Sequence, residues 1–95
     1  MLVFEWDDEK AKANLREHGV SFEEAIEVFD DDFALEEYDV AHSKDEARFN
    51  VIGLSSRRLL FVVYSEREKN VIRIISAWRV SKKYREAYEE NRKET

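Results

Sequence analysis

The central apolar stretch of this sequence is Leu-Leu-Phe-Val-Val-Tyr-Ser at residues 59–65. It is rich in β-branched and aromatic residues and apolar on both faces, so it predicts a central strand. Residues 48–54 and 71–77 are candidate strands on either side. The connections at residues 55–58 and 66–70 are short enough for hairpins, which predicts an antiparallel meander. Residues 33–38 supply a fourth candidate strand, and residues 2–6 a short edge strand.

Two helices are predicted before this sheet. The first begins near Asp7 or Asp8, because Asp is a good N-cap, and ends at Gly19, which can adopt the left-handed conformation. The second begins with Ser21 and Glu24, which have the spacing of a reciprocal capping box. Its apolar stripe follows the i, i+3, i+4, i+7 pattern, and an acidic run at residues 30–32 ends it. The stripe consists of Phe22, Ala25, Ile26 and Phe29.

A third helix is predicted at residues 80–92, with Tyr84 and Tyr88 one turn apart and placed to dock on the sheet. The expected fold class is therefore α+β: two N-terminal helices, a four-stranded antiparallel sheet and a C-terminal helix. The helices are expected on one face of the sheet. The other face then stays open, and arginines on it mark the place to look for a site.

The composition limits the classes of protein. A chain of 95 residues predicts a single domain, residues 1–95. It has no cysteine, which excludes disulfides, a thiol nucleophile and a cysteine zinc site. Residues 1–9 contain no apolar signal core, and no apolar run is long enough to span a membrane. We therefore expect a cytoplasmic protein with no membrane association.

The charges are unevenly distributed between the two halves of the chain. Residues 1–50 contain 5 Lys+Arg and 16 Asp+Glu, a net charge of 5 − 16 = −11. Residues 51–95 contain 11 Lys+Arg and 6 Asp+Glu, a net charge of 11 − 6 = +5. Such asymmetry suggests two surfaces with different tasks, and the basic half is suited to phosphates or to an acidic protein.

Several motifs together resemble the BrnT family of toxins. No single motif is decisive, but their order and spacing extend over nearly the whole chain. They are Phe4-Glu5-Trp6-Asp7, Lys10, Asn14, His18-Gly19-Val20-Ser21-Phe22, Ala25, Phe29, Asp31, residues 39–42, Asp45-Glu46-Ala47-Arg48, Gly53, Val62-Val63-Tyr64, residues 72–77, Arg79 and Tyr88.

The resemblance implies a fold like that of RelE-type toxins and a growth-arresting ribonuclease activity without a cofactor. It also implies a cognate antitoxin of the ribbon-helix-helix class, which neutralises the toxin and carries it to operator DNA. Two positions depart from the family pattern. Trp78 stands where the family usually has Arg, and Tyr84 stands where it tends to have Glu. Trp78 removes a candidate phosphate contact, which weakens the catalytic assignment.

Metal-free RNA cleavage needs a base for the 2′-hydroxyl, an acid for the leaving 5′-oxygen, and cations that stabilise the phosphorane. Arg73 interrupts an apolar strand, so it either binds phosphate or forms a structural ion pair, for example with Glu46. Glu46 and Arg48 are two residues apart and share a strand face. Arg79 lies at the junction with the last helix and adds a third cation. Lys82 and Lys83 lie in the first turn of that helix, where positive charge is unfavourable to the helix dipole, so they are candidates for RNA binding. The structural alternative is that both lysines are ordinary surface residues exposed to solvent.

His42 is the main candidate for proton transfer, because histidine changes charge near neutral pH, and Glu46 is the alternative base. The competing interpretation of His42 is an ordinary loop histidine. A metal site formed by Asp39, His42, Asp45 and Glu46 matches no standard ligand spacing, so no metal is expected. Trp78 either stacks on an RNA base or packs under the last helix, and packing is favoured.

Three functional hypotheses follow. The leading one is a metal-independent endoribonuclease that uses Arg48, Arg73 and Arg79 for phosphate and His42 or Glu46 for proton transfer. The alternative is a weak or inactive module that binds the antitoxin and co-regulates the operon, since an acidic half repels RNA and attracts a basic partner. A direct DNA-binding domain is disfavoured because the first two helices are strongly acidic.

Overall fold

The computed structural model describes residues 1–94, which form three α-helices and five strands. The helices are α1 (Asp8–His18), α2 (Phe22–Ala25) and α3 (Lys82–Lys93), and the strands are β1 (Val3–Glu5), β2 (Leu35–Tyr38), β3 (Ala47–Leu54), β4 (Leu59–Glu68) and β5 (Val71–Arg79). Two 3₁₀ segments, Ile26–Asp30 and Val40–His42, follow α2 and β2. No helix within residues 1–94 has the length and apolar character to cross a membrane.

The strands form one mixed sheet in the order β1-β5-β4-β3-β2. The predicted meander of β2 to β5 is confirmed, with every neighbouring pair antiparallel. The prediction of a four-stranded antiparallel sheet was nevertheless incomplete, because β1 adds a fifth strand parallel to β5. Hairpin lengths determine only which consecutive strands pair. They carry no information about a strand that returns from the N-terminus to the far edge.

Helices cover both faces of the sheet. The first face carries Val51, Val62 and Ala77 in one cross-strand row, and it packs against α1, α2 and the 3₁₀ segment that follows. The second face carries Ile52, Phe61 and Trp78 in the next row. Tyr88 of α3 packs on this second face together with Ile52, Leu59 and Phe61. The expectation that all helices lie on one face was therefore wrong, and only part of the second face is uncovered.

Helix α3 is anchored through Tyr88, whose side chain is buried. The Tyr88 hydroxyl donates a 2.6 Å hydrogen bond to the Asp31 carboxylate. Burial and this bond to a carboxylate together raise the pKa of Tyr88 to about 12. Tyr84 is half-exposed, and its ring lies edge-on against Phe61 with centroids 5.2 Å apart. Both tyrosines thus face the sheet, as their spacing predicted.

The second helix differs from its prediction after its first turn. The Ser21 hydroxyl accepts the Glu24 N–H at 3.0 Å, as a capping serine should. The chain then tightens into the 3₁₀ segment Ile26–Asp30. With three residues per turn, the fully buried positions become Phe22, Ala25 and Val28, while Phe29 is only partly buried.

Glu24 does not complete the capping box; it forms a buried ion pair with Arg58 of the β3–β4 hairpin. Its carboxylate accepts from Arg58 Nε at 3.0 Å, Arg58 Nη2 at 2.8 Å and the Ser55 hydroxyl at 2.8 Å. The bonds from Arg58, opposed by burial and assisted by Ser55, hold the pKa of Glu24 below its ordinary value of 4.5. The pair ties α2 to the central hairpin.

We expect Glu24→Gln to destabilise the protein by about 3 kcal/mol near neutral pH, because it leaves a guanidinium largely buried without its carboxylate. Since the folded-state pKa of Glu24 is lowered, its stabilising effect is present above the ordinary pKa and is lost as pH falls through the folded value. Urea unfolding should therefore show less acid dependence in Glu24→Gln than in the wild type. Glu23→Gln, at the exposed neighbouring position, is the control, and equal stability of the two variants would contradict the assignment.

Beyond the end of β1, the edge of β5 has no neighbouring strand within residues 1–94, and the side chain of Asn14 of α1 bonds to its backbone there. Its carboxamide NH₂ donates to the Ala77 carbonyl at 2.8 Å and to the Val20 carbonyl at 2.9 Å, and its oxygen accepts the Ala77 N–H at 3.1 Å. The side chain thus supplies the donor and acceptor that a neighbouring strand would supply. Gly19, with φ of 68°, ends α1 as predicted.

Candidate functional site

The uncovered part of the second face carries a row of polar residues across four strands. Arg48 of β3 pairs with Ser65 of β4, Ser65 pairs with Arg73 of β5, and Arg73 pairs with Glu5 of β1. Paired positions on adjacent strands present their side chains to the same face. The α3 cluster is centred on Phe61 and Tyr88, toward the other end of β4. The predicted shared face of Arg48 and Arg73 is therefore confirmed.

Ion pairs hold the side chains at the Glu5 end of this row. Arg73 Nη1 lies 3.0 Å from the Glu5 carboxylate, and Arg67 approaches Glu5 at 3.9 Å and Glu46 at 4.0 Å. The structural partner of Arg73 is thus Glu5, not Glu46 as the sequence suggested. Glu5 was missed as a member of the site because its placement depends on β1 pairing with β5. Arg67 was missed as well, although it lies two residues after Ser65 on β4 and strand alternation was a signal for it.

Arg48 has no carboxylate partner within residues 1–94. Its side chain is partly buried, and its Nε is buried without a hydrogen-bond partner in that range. Arg73 by contrast is largely neutralised by Glu5. Arg48 is accordingly the arginine of this row whose charge is most available to an anion.

A groove of about 420 Å³ lies beside Arg48 and brings three predicted site residues together: His42, Glu46 and Arg48. Ala41, Lys44 and Asp45 complete its lining. The 3₁₀ turn Val40–His42 supplies the histidine, and Arg48 lies near the start of β3. Glu46 lies just before that strand, not on it as the sequence predicted. The groove therefore combines a histidine, a carboxylate and a guanidinium, the groups required for general acid–base chemistry on a phosphate ester.

Asp39 orients His42 within this groove. One carboxylate oxygen accepts the His42 backbone N–H at 3.3 Å, and the other lies 2.9 Å from His42 Nδ1. When Nδ1 carries the proton, it donates to Asp39 and leaves Nε2 unprotonated for proton transfer. The His42 side chain is 66% exposed, whereas Asp39 is 18% exposed. The sequence analysis did not assign this role to Asp39, although the Asp-x-x-His spacing is a signal that could have indicated it.

The other predicted site residues lie away from this groove. Arg79 is six residues beyond Arg73 on β5, which separates them by about 20 Å at roughly 3.3 Å per residue. Arg79 lines a second groove of about 510 Å³ with Glu17, His18 and Trp78. Lys82 and Lys83 are exposed in the first turn of α3. The prediction that Arg79 shares one catalytic group with Arg73 was therefore wrong.

Trp78 packs against other rings. Its indole stacks on Phe61 with centroids 4.9 Å apart and an interplanar angle of 10°, and the His18 ring lies 5.8 Å away. This is the packing role that the sequence analysis favoured over base stacking. Within residues 1–94 no three His, Asp or Glu side chains are grouped to hold a metal ion.

These features define a small α+β protein with a mixed sheet and an arginine-bearing site on one half-open face. The family model for the ribonuclease toxin BrnT of type II toxin–antitoxin systems matches residues 6–83. The chain therefore belongs to the BrnT family of ribonuclease toxins.

The solved structures agree on the fold. The crystal structure of the Brucella abortus ribonuclease toxin BrnT matches with a TM-score of 0.58 and 18% sequence identity, covering 86% of this chain and 100% of that one. At this identity the match establishes a shared fold. No curated protein of similar sequence was found.

Proposed function

We propose that this chain is an active endoribonuclease whose protein side chains cleave RNA without a metal ion or cofactor, arresting growth in the cytoplasm. The observation that carries the proposal is the convergence of His42, Glu46 and Arg48 on one groove, next to the row that contains Arg73. Family membership supplies the reaction class.

In this mechanism His42 Nε2 removes the proton from an RNA 2′-hydroxyl while Asp39 holds the other ring nitrogen. The 2′-oxygen attacks phosphorus and the bond to the 5′-oxygen breaks, which leaves a 2′,3′-cyclic phosphate. The departing 5′-oxygen takes up a proton from solvent, and His42 returns the proton it removed to solvent. Arg48 stabilises the charge that develops on the phosphorane, and Arg73 adds a weaker contribution because Glu5 already pairs with it. Glu46, on the same groove, is the alternative base.

Arg79, Lys82 and Lys83 contribute to binding in this proposal and take no part in the chemistry. Arg79 is separated from Arg73 along β5 and pairs with Leu60 of the first face, so it cannot share a phosphate with Arg73. Any contacts from these three residues would be with flanking nucleotides. Such contacts are electrostatic and independent of sequence. Their effect on affinity should therefore weaken as salt is raised.

A second candidate function is a catalytically weak module that binds the antitoxin and tunes its operator binding. Both departures from the family pattern, Trp78 and Tyr84, place their rings on Phe61, so both positions contribute to packing instead of charge. A ribbon-helix-helix antitoxin is the proposed partner in either case. Its contact with operator DNA would carry this chain to DNA indirectly.

The test is expression of the chain alone and together with the product of the neighbouring gene. We expect growth arrest with loss of total RNA, reversed by the neighbour, and cleavage of RNA by the purified protein in the presence of EDTA. Normal growth and intact RNA with abundant folded protein would contradict the enzyme and favour the binding module. Cleavage abolished by EDTA would contradict metal independence alone.

A further inference from the structure

Two buried side-chain atoms have no hydrogen-bond partner within residues 1–94: Arg48 Nε and Ser65 Oγ. They lie on directly paired residues of β3 and β4 and share the second face of the sheet. A buried polar group without a partner destabilises the folded state, and such groups are uncommon in folded proteins. Because both unpaired atoms belong to one cross-strand pair beside the candidate site, we expect a single cause for both.

The two atoms are chemically complementary. Arg48 Nε–H is a donor, and a serine hydroxyl oxygen accepts. Side chains at directly paired positions have Cβ atoms about 4.5–5.5 Å apart, so a change of rotamer is enough to bring a long guanidinium onto a short hydroxyl. The pair thus consists of an unpaired donor and an unpaired acceptor that can form a hydrogen bond after a small movement of the Arg48 side chain.

Ser65 also stands out on its own strand. The preceding positions of β4 on the same face are Leu59, Phe61 and Val63, which are apolar and contribute to the cluster around Tyr88. An apolar side chain would continue this pattern at position 65 without burying an unpaired hydroxyl. The hydroxyl instead appears where the apolar cluster ends and the row of arginines begins. It lies between Arg48 and Arg73 and is fully buried.

We propose that Ser65 is a positioning residue for phosphate binding. When an RNA phosphate engages Arg48, the Nε–H of Arg48 donates to Ser65 Oγ, and this bond fixes the plane of the guanidinium. Both Nη groups then face the phosphate oxygens and grip them as a fork. The inference rests on the proposed function, in which Arg48 binds the phosphate of the RNA.

The experiment compares Ser65→Thr with Ser65→Val, which are equal in shape and differ in the hydroxyl. The probe is inorganic phosphate, titrated into ¹⁵N-labelled protein while the Arg48 Nε–H resonance, assigned with Arg48→Lys, is followed by NMR. Phosphate should shift this resonance and slow its hydrogen exchange in the wild type and in Ser65→Thr. In Ser65→Val the response should be lost and phosphate affinity should fall about tenfold, as expected for a lost hydrogen bond to a charged group.

Three results would overturn the inference in distinguishable ways. Unchanged phosphate affinity in Arg48→Ala would remove Arg48 from the phosphate site, and with it both the proposed function and this inference. Weaker binding in Arg48→Ala with wild-type affinity in Ser65→Val would overturn the role of Ser65 alone. Equal loss in Ser65→Thr and Ser65→Val would show that packing matters instead of the hydroxyl. If Ser65→Val does not fold, Ser65→Ala replaces it in the same comparison.

Discussion

Replacing His42 with alanine is expected to lower kcat/KM for RNA cleavage by about 10²–10⁴-fold, the usual contribution of a general base. The side chain is largely exposed, and its contacts are those with Asp39, so the fold should be retained. Cleavage of a labelled RNA by purified protein measures the effect. Thermal unfolding of the same samples separates it from any loss of structure.

Two further variants locate the base. Asp39→Asn should give a smaller loss than His42→Ala, because it weakens the orientation of the ring while leaving the imidazole in place. Glu46→Gln should retain most of the activity if His42 is the base. A profound loss in Glu46→Gln with full activity in His42→Ala would transfer the role of base to Glu46.

Replacing Arg48 with alanine is expected to reduce cleavage by about 10²–10³-fold, as when one preorganised donor to a developing oxyanion is removed. Arg48 forms no salt bridge within residues 1–94, so the variant should fold normally. Growth arrest in cells and cleavage by the purified protein should both be lost. Arg48→Lys should recover only part of the activity, because a lysine keeps the charge but not the planar fork.

The control is Arg16→Ala, at an exposed position in the last turn of α1 away from the row. It removes the same charge from the protein and should leave cleavage unchanged. Arg73→Ala should lower both activity and stability, since Arg73 also pairs with Glu5 at 3.0 Å. Wild-type cleavage by Arg48→Ala would contradict the assignment of the phosphate site.

Local patterns in the sequence predicted most of the secondary structure. Capping residues, apolar periodicity and short connections are local, and they correctly indicated α1, α3 and the meander of β2 to β5. The parallel pairing of β1 with β5 joins residues about seventy positions apart, for which no local pattern exists. The packing of α3 on the second face was missed for the same reason: residues 59–65 are apolar on both faces, but nothing local shows which helix covers each face.

The candidate site was predictable to the extent that it depends on strand alternation. Alternation placed Arg48 on one face of β3, and cross-strand pairing then placed Arg73 in the same row. Glu46, which was predicted on the same strand as Arg48, lies one residue before β3.

The role of Glu5 depends on the position of β1, so it became apparent only in the folded chain. Arg67, two residues after Ser65 on β4, was overlooked although alternation places it on the same face. Arg79 was assigned to the same group as a further cation at the junction with the last helix, although an extended strand carries it far from Arg73.

The side chain of Asn14 limits how another chain can extend this sheet. An exposed strand edge is a template for strand addition by a partner or by a second copy. At Ala77 of β5 that template is interrupted, because the backbone N–H and C=O are both taken by the carboxamide. The outer edge of β2 has no strand beside it in the sheet order, and Glu36 and Glu37 place negative charge along it. A partner that binds by adding a strand would therefore be repelled at β2 if it is acidic. At Ala77 it would find no free backbone N–H or C=O to pair with.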